Sequence, residues 1–300
     1  MPGKTAKERT MQIILHLGAH CTDEDRLLRG MLRNAGDFRK EAVAIPGPGR
    51  YRRLLSETIH QLGDRAPAPE AREVLLDTML DEDPDEVRRL VLSHENLLSV
   101  PKLILAGGGL YRKFEARLET MQRLFPGDEI RVFLGLRDFA TFLPAAWQCS
   151  PLESFDAFLN GANPMHLRWS DFVARIASHV PVTCWCNEDT PLIWGQILRE
   201  MAGVPLDRKI IGSFAMLSEI ITPEGMRRFR SFLNDNPTVN EAQKRRVMTA
   251  FLDKYGLDDA IEQELDLPGW DAAYVDMLTE IYDEDVWQIG RMQNVTLITP

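Results

Sequence analysis

The chain has 300 residues, 44% of them hydrophobic, four cysteines and a formal net charge of −10. That is enough apolar residue to bury a full core, as one large domain or one domain with an extension, and the acidic balance argues against a nucleic-acid binder or a surface drawn to anionic lipid. Cys21, Cys149, Cys184 and Cys186 are too few for a disulfide framework and read as a reduced set, so the expected compartment is the cytoplasm.

In chain order, residues 1–10, with Lys4, Lys7 and Arg9, read as a flexible tail. The apolar run Met11 to Leu17 is too short for a signal peptide and charge follows it closely; nothing approaches the ~20 apolar residues of a membrane span. Apolar, β-rich runs predict strands over 12–18, 41–46, 89–93, 130–136, 181–186 and 295–298. Between them, helical patterns cover 23–35, 50–63, 70–80, 111–125, 139–148, 153–160, 168–178 and 190–202. This alternation predicts an α/β fold, a three-layer α/β/α parallel sheet with right-handed crossovers.

After about residue 213 the pattern is helical. Thr222-Pro223 supplies an N-cap and a proline at the first helical position, Thr238 to Glu241 a capping box, Gly256 a stop, and a last helix is expected over 271–290. The reading divides the chain into the tail 1–10, a sheet domain 11–212 and a helical C-terminal extension 213–300 packed on it. Ligands of open parallel sheets bind at the carboxyl ends of the strands, so the segments following each strand carry the chemistry.

The first of these is Leu15-His16-Leu17-Gly18-Ala19-His20-Cys21-Thr22-Asp23-Glu24-Asp25, an apolar strand opening through a loop into a helix. Such a junction attracts an anion through helix N-terminal N–H groups and the macrodipole. Here three carboxylates stand in the anion's place. Thr22 to Asp25 reads as a capping box that neutralises the helix without a ligand. A divalent cation held by His20, Asp23 and Asp25, with Cys21, His94, Glu95 or Asp138, is the alternative. His16, in mid-strand, reads as a satisfied buried histidine. His94 and Glu95 follow a strand end, where a general base for an acceptor hydroxyl would stand; either could instead order the next loop. Cys184 and Cys186 share one face of a strand and read as buried hydrophobes. Glu188, Asp189 and Thr190 before Pro191 read as helix caps. Pro46 to Arg53 is a compact basic turn whose arginines could also grip an anion.

The 15–20 segment and Thr22 resemble the 5′-phosphosulfate-binding loop of the sulfotransferase family, which has a P-loop nucleotide-binding fold. Val132-Phe133-Leu134-Gly135-Leu136-Arg137-Asp138 is similar to the family segment whose arginine helps hold the donor's 3′-phosphate. Weaker similarities lie in Leu92 to Leu97 and in Trp185 to Trp194; together they span roughly 15–200. The resemblance implies phosphoadenosine phosphosulfate as donor, bound through Gly18, His20, Cys21, Thr22 and Arg137. It also implies His94 or Glu95 as base, and a small molecule or glycan as acceptor. The chain departs from the family at Cys21, where a lysine is expected, at Asp23 for a glycine, and at Glu24 and Asp25 for hydroxyl residues. Ala145 stands for a serine, Phe139 for a usual proline and Phe142 for a frequent arginine.

Overall fold

The computed structural model describes residues 10–261, 267 and 269–300. The sheet holds β1 (Gln12–His16), β2 (Val43–Ala44), β3 (Arg89–Ser93), β4 (Glu129–Leu136), β5 (Val182–Cys186) and β6 (Val295–Ile298). Their order is β2-β3-β1-β4-β5-β6, with every pairing parallel. Connections from β1 run toward β2 and those from β3 return toward β4. The topological switch point, where open α/β sheets take their ligands, therefore lies at the carboxyl ends of β1 and β4.

Both faces of the sheet are covered, which is why its strands read as unbroken apolar runs. Ile13 and Leu15 point into a cluster with Tyr51, Leu118 and Phe172, whereas Ile14 joins Leu28, Val91, Phe133 and Trp194 on the other face. The covering helices are α1 (Arg26–Arg33), α2 (Ala35–Arg39), α3 (Pro48–Leu62), α4 (Ala71–Met79), α5 (Phe114–Leu124), α6 (Phe139–Gln148), α7 (Phe155–Leu159), α8 (Trp169–Ala177) and α9 (Thr190–Ala202). They are followed by α10 (Leu217–Ile220), α11 (Pro223–Asp235), α12 (Glu241–Tyr255), α13 (Asp258–Ile261) and α14 (Ala272–Ile289).

Several expected boundaries move. The helix over 23–35 starts only at Arg26 and breaks at Asn34, whose Nδ2 donates to the carbonyls of Gly30 and Ile211. The helix over 111–125 starts at Phe114, because Tyr111 adopts a left-handed φ of 48°. Thr222 caps α11 as expected, accepting from Gly225 N–H at 3.1 Å. The capping box of α12 is Asn240 with Gln243 rather than Thr238 with Glu241; each side chain accepts the other's backbone N–H at 2.9 Å. Gly225 sits where α11 crosses the end of α12, and a Cβ there would come within 2.5 Å of Tyr255 Cβ.

The C-terminal extension is more than an appended bundle. α11 and α12 share their own apolar cluster around Met226, Phe229 and Met248, yet α14 packs on α6 and α8 and β6 completes the sheet beside β5. The tail expected over 1–10 lies outside the described residues but for Thr10. No helix among the described residues is long and apolar enough to cross a membrane.

Candidate site at the carboxyl edge of the sheet

β1 ends at His16, and Leu17 N–H reaches across to the Phe133 carbonyl of β4 at 3.0 Å. Gly18 then takes a φ of +45°, which lets the chain turn over the sheet edge. Cys21, Glu24 and Asp25 have φ of 60°, 48° and 64°, so three side-chain-bearing residues of this short loop lie in the left-handed region. Each such residue costs of order 1–2 kcal/mol unless its surroundings hold it.

The surroundings here are the loop's own polar groups. The Thr22 hydroxyl donates to the Ala19 carbonyl at 2.6 Å and does not form the expected capping box with Asp25. Asp23 is the cap: its Oδ2 accepts from Leu27 N–H at 3.0 Å. Asp25 turns to α3 and pairs with both terminal nitrogens of Arg52, Nη1 donating at 3.0 Å. The Arg52 Nε donates to the Ser93 carbonyl at 2.9 Å, tying loop, helix and β3 together. The hydrogen bonds from Arg52 hold the Asp25 carboxyl below the usual carboxylate range. Glu24 is exposed and stands 3.7 Å from Arg26. Arg50 and Arg53 of the basic turn are engaged too, by Asp81 at 2.6 Å and Glu57 at 2.7 Å.

His20 is buried with both ring nitrogens in contact, Nδ1 with the Tyr111 hydroxyl and Nε2 with the Ser99 carbonyl, each at 3.1 Å. Burial drops its pKa to about 4, so it is neutral. His94, also buried, meets the Ser56 hydroxyl through Nε2 at 2.8 Å, and burial together with nearby Arg52 drops it to about 4. Glu95 is only partly buried, and burial and the charges of Asp23 and Asp25 raise its pKa. Among the described residues, no three His, Cys, Asp or Glu side chains are grouped as ligands for a metal ion, and His20 is committed away from Asp23 and Asp25. His16 departs from expectation: Nδ1 meets Ser93 Oγ at 2.9 Å, but Nε2 is buried without a partner beneath Gly18.

Arg137, at the end of β4, is brought to the same edge. Its Nη1 donates to the Cys21 carbonyl at 2.5 Å and its Nε to Thr141 Oγ1 at 2.9 Å. Ala145 lies farther along α6 and accepts from Cys149 N–H at 3.2 Å. The Cys149 sulfur is 3.2 Å from that of Cys21. Beyond Arg137 the edge is closed by α14. Asp138 caps α6, accepting from Ala140 N–H at 2.8 Å, and takes the Thr279 hydroxyl at 2.6 Å. Glu188 accepts from Asp138 N–H at 3.0 Å and from the Tyr282 hydroxyl at 3.1 Å, so it braces the β4–β5 edge instead of capping α9. Burial raises its pKa. Asp189 makes no side-chain cap either, and the buried Thr190 hydroxyl has no partner.

Sequence reasoning expected Cys21, His94 and Arg137 at one edge of the sheet, and the structure places them there beside Gly18, His20, Thr22 and Glu95. It missed Arg52 as the partner of Asp25, Tyr111 as the partner of His20, and Cys149; only the basic character of the 46–53 turn hinted at the first. A cavity of about 460 Å³ opens away from this loop, lined by Gly108, Gly109, Arg112, His166, Arg168 and Arg175 among others. No family model matches the chain, and no curated protein or solved structure matches it.

Proposed function

We propose that this is a sulfotransferase-like protein whose donor loop no longer takes the sulfate donor, and that it acts as a non-catalytic binder of a small molecule or glycan. One observation carries this reading. The groups that would greet an anion at the β1 junction already have carboxylate partners, Leu27 N–H in Asp23 and Arg52 in Asp25.

The magnitudes support it. A carboxylate ~5 Å from a phosphate charge costs roughly 3 kcal/mol at an effective dielectric of 20. Two or three such repulsions, with cysteine in place of lysine at position 21, are comparable to the roughly 8 kcal/mol of a micromolar complex. Calorimetric titration of phosphoadenosine phosphosulfate into the wild-type protein should give a dissociation constant no tighter than ~100 μM, about 5.5 kcal/mol. Micromolar binding would overturn the reading.

A second reading, a working sulfotransferase-like enzyme, is favoured by Glu95. Its raised pKa and its place beside the loop suit a general base that takes the proton of an acceptor hydroxyl or amine, with Arg137 holding the donor. His94 is the weaker base, since its Nε2 already meets Ser56. Sulfate transfer that Glu95→Gln abolishes, with donor binding intact, would select this reading over the first.

A further inference from the structure

The Cys21 and Cys149 sulfurs stand 3.2 Å apart across the loop and the end of α6, and both thiols are free. Cys149 is exposed at the C-cap of α6; Cys21 is half-buried behind it. The remaining two cysteines, Cys184 and Cys186, lie along β5. A disulfide needs sulfurs about 2.05 Å apart, so closing this pair takes roughly 1 Å of side-chain movement. We propose that Cys21 and Cys149 are a redox modification site, converted by a peroxide into an intramolecular disulfide that pins the loop to α6.

The exposed sulfur reacts first. Cys149 attacks one peroxide oxygen and becomes a sulfenic acid, and the other oxygen leaves as water with the thiol's proton. The Cys21 sulfur then attacks the Cys149 sulfur; the S–O bond breaks and a second water departs with the Cys21 proton. Two thiols lose two electrons and two protons, and one peroxide is reduced to two waters. Burial and the neighbouring Cys149 raise the Cys21 pKa, so Cys21 is the slower of the two to react with peroxide directly. The bond would fix a segment that otherwise holds three left-handed residues through side-chain contacts and the Arg137 bond to the Cys21 carbonyl.

The test is independent of donor binding. The full chain is treated with a small excess of hydrogen peroxide, its remaining thiols are alkylated after unfolding, and the product is weighed and mapped by proteolysis. The expected product is monomeric, about 2 Da lighter before alkylation, with Cys21 and Cys149 peptides joined and Cys184 and Cys186 alkylated. Its melting temperature should rise by roughly 4–8 °C and return on reduction with dithiothreitol. Cys149→Ser should lose both the cross-link and the rise. A Cys149 sulfinic acid beside an unmodified Cys21, a cross-link between molecules, or a bond to Cys184 or Cys186 would overturn the proposal.

Discussion

The two halves of the sheet's carboxyl edge settle their charges differently. On the β1–β3 half, carboxylates answer helix N–H groups and an arginine in a loop that stays partly exposed; the Asp25 side chain is 43% accessible and that of Arg52 26%. On the β4–β5 half, Asp138, Glu188, Thr279 and Tyr282 form a hydrogen-bonded set between the strand ends and α14, in which Asp138 and Tyr282 are buried, Thr279 is partly buried and Glu188 is exposed. The first half is braced by an ion pair between its loop and α3; the second is braced by hydrogen bonds to the C-terminal helix. A partly exposed ion pair can be removed by mutation at little cost, whereas taking the acceptor from donors of buried residues costs more.

The largest expected difference is in pH dependence. His20 and His94, both on the β1–β3 half, are held near about 4, while the unfolded chain binds those protons near 6.5. Their contribution is complete above pH 6.5 and is lost as pH falls toward 4, where the folded histidines also protonate. Between pH 7 and pH 5 each should cost about 2 kcal/mol, opposed in part by Glu95 and Glu188, whose raised pKa values favour the folded state as they protonate. The buried His16, whose pKa burial also lowers, adds to the loss; denaturant titrations at the two pH values measure it, and His94→Gln should remove about 2 kcal/mol of it. A flat profile would dissolve the contrast.

Next in size is Glu188→Ala, which takes the acceptor from the Asp138 N–H and the Tyr282 hydroxyl. Glu188 is itself exposed, so the change should destabilise by about 1–2 kcal/mol in chemical denaturation. A loss below about 0.5 kcal/mol, the level of an ordinary surface substitution, would mean that this half is as tolerant as the other. Smaller still is the difference within the loop. Asp23→Ala removes a helix cap and should cost about 1 kcal/mol, whereas Asp25→Ala removes a half-exposed ion pair and should cost less than that. The reverse ranking would return the capping role to Asp25.

How much of this was legible in the sequence follows from the physics of each part. The six strands were readable because central parallel strands are buried on both faces, as Ile13, Ile14 and Leu15 are, and show as continuous apolar runs. The gathering of Cys21, His94 and Arg137 followed from their places just past strand ends. The loop's internal wiring did not follow. Asp25 and Arg52 are 27 residues apart, His20 and Tyr111 are 91 apart, and Cys21 and Cys149 are 128 apart, so their meeting depends on tertiary packing. The false capping box at Thr22 failed for a local reason: the left-handed turn at Cys21, Glu24 and Asp25 delays the helix to Arg26 and hands the cap to Asp23.

The central claim is that the loop's own carboxylates stand where an anionic donor would. Calorimetric titration of phosphoadenosine phosphosulfate into the wild type and into the triple variant Cys21→Lys, Asp23→Gly, Glu24→Thr tests it most directly. The repair restores one positive charge, removes two negative ones and returns Leu27 N–H to a ligand. Binding should tighten at least tenfold, or ~1.4 kcal/mol. Equal affinity in the two proteins, with both folded by circular dichroism, would contradict the account.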